Sequence, residues 1–67
     1  MVSYFRALIF KYDKKHRFVR EVSFRLMCDN KQSAIVTMTQ LVDSMNDVVK
    51  PGYYFEAIAI CCEEVHS

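Results

Sequence analysis

The stretch RFVREVSFRLMC-DN-KQSAIVTMTQLVDSMNDVVK-PG, residues 17–52, changes its hydrophobic period once, and that change decides the fold. From Arg17 to Cys28, Phe18, Val22, Phe24, Leu26 and Cys28 fall on one side of an extended chain and Glu21, Ser23 and Arg25 on the other. Alternation with a period of two marks a β-strand whose faces meet different surroundings. Asp29-Asn30 then interrupts the pattern with side-chain oxygens suited to capping a helix. Beyond it the apolar residues Ala34, Ile35, Met38, Leu41, Val42, Met45, Val48 and Val49 recur at spacings of three and four. Gln32, Ser33, Thr37, Gln40, Asp43, Ser44 and Asp47 take the other side, so the segment is an amphipathic helix. Pro51-Gly52, the only proline and the only glycine, stops it.

On either side of this stretch the chain is again extended. Residues 3–12, SYFRALIFKY, are rich in aromatic and β-branched types and end at the polar run Asp13-Lys14-Lys15-His16. They predict a first strand joined to the second as a hairpin. Tyr53 to Cys62 predicts a third strand, and Glu63-Glu64-Val65-His66-Ser67 reads as a frayed tail. The short connections around the helix make the third strand parallel to the second. A right-handed crossover that places it beside the first strand gives the order 2-1-3, with 1-2-3 as the alternative. Residues 1–67 therefore read as one α+β domain of ββαβ order, a three-stranded sheet with one amphipathic helix packed on one face.

One helix covers one sheet face, so the other face of a monomer is expected to be polar. Here it is not. Strand 1 offers Phe5, Ala7 and Ile9 to one side and Tyr4, Arg6, Leu8, Phe10 and Tyr12 to the other. Strict alternation in strand 3 puts Tyr53, Phe55, Ala57, Ala59 and Cys61 on one side and Tyr54, Glu56, Ile58, Ile60 and Cys62 on the other. Apolar and aromatic residues interspersed with arginine are the types that dominate protein interfaces. Unpaired strand edges offer a second route to a partner.

A chain of 67 residues builds a single core worth roughly 3–5 kcal/mol and usually needs a staple. Disulfides are not expected to supply it. Cys28, Cys61 and Cys62 cannot all pair within one chain, and a Cys61–Cys62 bridge would distort the peptide between them. They read as reduced, buried structural thiols of a cytoplasmic protein. The opening MVSYFRALIF lacks the features of a signal peptide, and no apolar run approaches the ~20 residues of a membrane span. At 52% hydrophobic the chain is too apolar to be disordered.

Chemistry is sparse. His16, His66 and the three cysteines show no metal-ligand spacing, and a single glycine precludes a phosphate-binding loop, so no metal or cofactor is expected. Acid and base work needs two carboxylates or a histidine fixed in a cleft, and a sheet of this size with one helix is expected to offer little concavity. Cys28, just before the helix, is the one nucleophile with any argument. The expectation is a binding protein rather than an enzyme. The net charge of +1 hides an asymmetry, because residues 1–28 carry seven of the nine basic side chains against Asp13 and Glu21 alone. A nucleic-acid-binding module is therefore one alternative, resting on the basic turn Lys14, Lys15, His16 and Arg17 next to Arg6, Arg20 and Arg25, with Tyr4, Tyr12 and Phe18 near by. A homodimeric structural protein is another.

The element order, the length, Phe10-Lys11 in the first strand, the segment Phe18-Val19-Arg20-Glu21-Val22-Ser23-Phe24 and a cysteine-bearing last strand resemble the Dmd family of small antitoxins from T4-like bacteriophages. The resemblance implies a host-defence inhibitor that binds a bacterial endoribonuclease toxin in the host cytoplasm and blocks its RNA-cleaving site without catalysis. Where a family member carries a tryptophan in the helix's first turn, this chain has Gln32-Ser33-Ala34. On surface position alone, the candidate partner-binding residues are Tyr4, Arg6 and Tyr12 of the first strand and Gln32, Ser33 and Gln40 of the helix.

Overall fold

A computed structural model describes residues 3–63. The chain runs β1 (Ser3–Asp13), β2 (Phe18–Cys28), α1 (Lys31–Val48) and β3 (Tyr53–Glu63). The sheet has the order β2-β1-β3 and both pairs are antiparallel, so the ββαβ architecture and the 2-1-3 order are the ones found. Glu63 closes β3 rather than opening a tail, and residues 64–67 lie outside the described ones.

The helix begins where Asn30, in extended conformation, accepts a hydrogen bond from the Ser33 amide at 2.8 Å. It ends in a turn in which Pro51 precedes Gly52 at φ 91° and the Tyr53 amide bonds back to the Lys50 carbonyl at 3.2 Å. That positive φ belongs to the third position of a type II turn, which a side chain would strain. Between these stops, Ala34, Met38 and Val42 form the buried stripe at i, i+4 and i+8, flanked by half-buried Leu41 and Met45. They close over Phe5, Ala7 and Ile9 of β1 and Ile60 of β3, with Ile9 the largest side chain wholly removed from water. Two residues expected on the packed side are not there. Ile35, about 100° round the helix from Ala34, is exposed, and Val48, in the last turn, is 85% exposed.

The helix sits nearer β3 than β2. Asn46 holds it there, its amide donating to the Phe55 carbonyl at 3.1 Å and accepting from the Phe55 amide at 2.7 Å. This clasp satisfies the outer backbone of an edge strand that would otherwise be open at that point.

Two bulges re-aim side chains. In β3, Leu8 faces Ala59 and Ile9 faces Ala57, which leaves Ile58 as an additional residue. Beyond it the parity of the strand inverts, so Ile60 and Cys62 join Ala57 and Phe55 on the helix side while Ala59 and Cys61 turn to the open side. Strict alternation had put Ile58 and Ile60 together. In β2, Lys11 faces Arg20 and Tyr12 faces Phe18, so Val19 is additional and Phe18 leaves the Val22 side for the open face.

The β3 bulge has a direct consequence for stability. Ile60 is 9% exposed and Ile58 41% exposed. Ile60→Ala is expected to cost about 2–4 kcal/mol in urea unfolding, and Ile58→Ala less than about 1 kcal/mol. Equal losses would contradict the inverted parity.

Candidate functional site

The sheet face that α1 does not cover is built from alternate residues of all three strands. It carries Tyr4, Arg6, Leu8, Phe10 and Tyr12 from β1, paired with Met27, Arg25, Ser23, Glu21 and Phe18 of β2. On the other side of β1 stand Glu63, Cys61, Ala59, Glu56 and Tyr54. The two ends of this face differ in chemistry.

At the hairpin end the aromatic rings cluster. Phe18 packs edge-on against Phe10 with centroids 5.0 Å apart, and Tyr12 stacks on Tyr54 at 5.4 Å. The Val19 bulge is what brings Phe18 into this group. Phe18 nevertheless keeps 56% of its surface in water. The hairpin turn supplies a further ring, since His16 Nδ1 lies 2.6 Å from the Tyr54 hydroxyl. Asp13 shapes that turn: Oδ1 accepts from the Lys15 and Arg17 amides at 2.8 and 3.0 Å, Oδ2 accepts from Arg17 Nε at 3.1 Å, and His16 is left at φ 61°. Partial removal from water, followed by the nearby Glu56 carboxylate, raises the Tyr54 phenol above its ordinary value.

At the opposite end the face is ionic. Glu63 lies between two guanidinium groups, with Arg6 Nε 2.8 Å from Oε1 and an Arg25 nitrogen 3.2 Å from Oε2. The Arg6 contact is short but poorly aligned, so Oε1 gains charge neutralisation without a hydrogen-bond donor among the described residues. Arg25 also lies over the Tyr4 ring at 4.6 Å, and Arg6 donates to the Ser23 hydroxyl at 3.4 Å. Across the whole face Arg6 and Arg25 oppose Glu21, Glu56 and Glu63, so its charge is close to balanced.

Of the candidate residues, Tyr4, Arg6 and Tyr12 all lie on this face, with Arg6 exposed and the tyrosines half-buried. Gln32, Ser33 and Gln40 are exposed on α1, which packs on the other face, so the two groups belong to opposite sides of the molecule. The Ser33 amide is already engaged by the Asn30 cap. Phe18, Tyr54, Arg25 and Glu63 join Tyr4, Arg6 and Tyr12 on the open face, although the sequence pattern offers Phe18 and Arg25 only to nucleic acid and Tyr54 and Glu63 to no partner. Phe18 was assigned by alternation to the wrong face and Glu63 to the tail.

The helix side has concavity of its own. A groove of about 590 Å³ opens between the end of α1 and the start of β2, lined among others by Lys11, Arg20, Lys50, Val19 and Val48. Lys11 Nζ lies over the Tyr53 and Phe55 rings there, at 4.8 and 5.7 Å. The groove wall holds no carboxylate, histidine or cysteine, and its titratable side chains are Lys11, Arg20, Lys50 and Tyr53. Among the described residues no group of three or more His, Cys, Asp or Glu is placed to hold a metal ion, and no helix is long and apolar enough to cross a membrane. The cysteines are not buried as expected. Cys61 and Cys62 are exposed at the free end of an edge strand and Cys28 is half-buried, all three as free thiols.

No family model, no curated protein and no solved structure matches the chain.

The turn has a pH signature. The Arg17 amide, then the Lys15 amide and the Arg17 guanidinium, hold the Asp13 carboxyl below its ordinary value despite some loss of solvent. A depressed folded-state value means that Asp13 stabilises the fold fully above the ordinary aspartate range, and that this contribution is lost as pH falls through the depressed value. In an NMR titration the Asp13 carboxyl is expected to have a midpoint below that of free aspartate, with the Lys15 and Arg17 amide shifts following it. A midpoint at or above the ordinary value would contradict the geometry of the turn.

Proposed function

We propose that the chain is a non-catalytic protein-binding domain that docks on a partner protein through the open sheet face. In line with the resemblance to the Dmd antitoxins, the partner is a bacterial endoribonuclease toxin or a comparable host defence protein, inhibited in the host cytoplasm. The observation that carries this reading is the pairing of an aromatic cluster with an Arg6–Glu63–Arg25 ion group on one face whose charge is close to balanced. Tyr, Phe, Met and Arg are the types enriched at the centres of protein interfaces, and rings already packed together lose little freedom on binding.

The same charge balance weighs against the nucleic-acid alternative. Polyphosphate binding is driven by a surplus of cations, whereas the open face has three carboxylates to two guanidinium groups. In the basic turn, Asp13 engages Arg17 and leaves Lys14 and Lys15 as the exposed lysines. On this reading Tyr4, Arg6 and Tyr12 take part in the contact together with Phe18, and Gln32, Ser33 and Gln40 lie outside it.

The test is affinity capture from bacterial lysate, followed by an RNA-cleavage assay of whatever protein is recovered. The wild-type chain is expected to retain a protein whose RNA cleavage it suppresses. Phe18→Ser, at an exposed position, is expected to weaken retention by about tenfold or more, and Gln40→Ala to leave it unchanged. Recovery of nucleic acid alone, or of nothing beyond the chain itself, would overturn the proposal.

A further inference from the structure

The two edges of the sheet are not alike. On β3, Asn46 occupies the outer backbone of Phe55 and the Ile58 bulge breaks the ladder. β2 differs, because from Arg20 to Cys28 it pairs with β1 without a break and contains no proline. Among the described residues no hydrogen bond outside the β1 pairing engages its backbone over that span. Because the helix leans toward β3, the helix-side residues Val22, Phe24 and Leu26 of β2 remain only half-buried. A straight, regular edge flanked by unfinished apolar packing is a template for another strand.

We propose that this other strand is β2 of a second copy, paired antiparallel about a two-fold axis at Ser23, so that the two sheets join into one. The side-chain order of β2 selects both the occupant and the register. Centred on Ser23, the pairing sets Glu21 opposite Arg25 of the second copy, and Arg25 opposite its Glu21, on the open side. On the helix side it sets Val22 opposite Phe24 of the second copy. Opposite charges directly across a ladder attract, and like charges repel. Residues facing one another must share a sheet face, so the neighbouring registers move by whole residues about the axis. Centring on Val22 puts Glu21 opposite Ser23, and centring on Phe24 puts Glu21 opposite Met27. Centring on Arg20, Glu21 or Arg25 sets a charge against its own copy. Ser23 is therefore the one centre in this span that pairs Glu21 with Arg25.

The arrangement draws on the β2 border of the open face, where Arg25 also contacts Glu63 and the Tyr4 ring, and leaves the aromatic cluster uncovered. A two-fold axis perpendicular to the sheet keeps both helices on one side and both open faces on the other. The two aromatic clusters then lie on one continuous surface, and each remains available.

Sedimentation of the full chain between about 1 and 300 µM tests the proposal, with charge reversal as the control for register. The wild type is expected to pass from one chain to two across this range. Glu21→Arg and Arg25→Glu are each expected to raise the dimer dissociation constant by at least about tenfold, and the double variant E21R/R25E to return it to within about threefold of wild type. Far-UV circular dichroism of each variant confirms the fold before it is scored. Phe18→Ser is expected to leave the dimer intact, which separates this outcome from loss of the partner contact. A chain that stays single throughout overturns the proposal. So does a dimer that ignores both reversals or is lost with Phe18→Ser, and so does a folded double variant that is not restored.

Discussion

A single helix can bury only one face of a sheet, and every other feature of this molecule follows from that constraint. At 1.5 Å per residue the 18 residues of α1 span about 27 Å, whereas strands of 11 residues extend about 36 Å. The core is accordingly narrow and one-sided, resting on three residues of β1, one of β3 and three of α1. The groove at the hairpin end marks where the helix runs out. The remaining sheet face has to hold itself together without a second layer. It does so by lateral contacts, ring against ring at one end and guanidinium against carboxylate at the other. Aromatic pairs of this kind are worth about 0.5–1.5 kcal/mol each beyond their buried area, and exposed ion pairs about 0–1 kcal/mol.

Those lateral contacts depend on small irregularities. If Val19 were paired in strict alternation instead of bulging out, Phe18 would point toward the helix side and the aromatic cluster would lose an exposed ring. If Ile58 were paired in strict alternation instead of bulging out, β3 could not present Phe55 and Ile60 to the core and also Tyr54 and Glu63 to the open face. Bulges cost ladder hydrogen bonds, and they persist here because each one places a large side chain where packing or ionic contact stabilises it. The two sheet edges also differ, through the Ile58 bulge and through Asn46. Asn46 spends both ends of its amide on Phe55, which anchors the helix over β3 and leaves β2 as the open edge.

Much of this was legible in the sequence. The change of period at Asp29-Asn30, the Pro51-Gly52 stop and the short connections predict the ββαβ order and the 2-1-3 sheet, because period and loop length are local properties. The existence of a second apolar face was legible too, since β1 is apolar on both parities. The exact membership of that face was not. Parity counting assumes an unbroken strand, so one added residue transfers everything beyond it to the opposite side, as happened to Phe18, Ile60 and Cys62. Apolar spacing likewise overstated the packed side of the helix at Ile35 and Val48, where the sheet offers no partner. The Glu63 ion pairs join β3 to β1 and β2 across the sheet, and a pattern read along the chain carries no information on such contacts.

The centre of one sheet face, at Ala7, Ile9 and Ile60, is closed to water, and the other face, with Phe18 on it, is open to it. NMR of the chain at dilute, monomeric concentration with a soluble paramagnetic co-solute measures this residue by residue. Strong broadening is expected for the Phe18 and Met27 side-chain signals, with those of Ala7, Ile9 and Ile60 shielded. Shielding of Phe18 to the degree seen for Ile9 would contradict it.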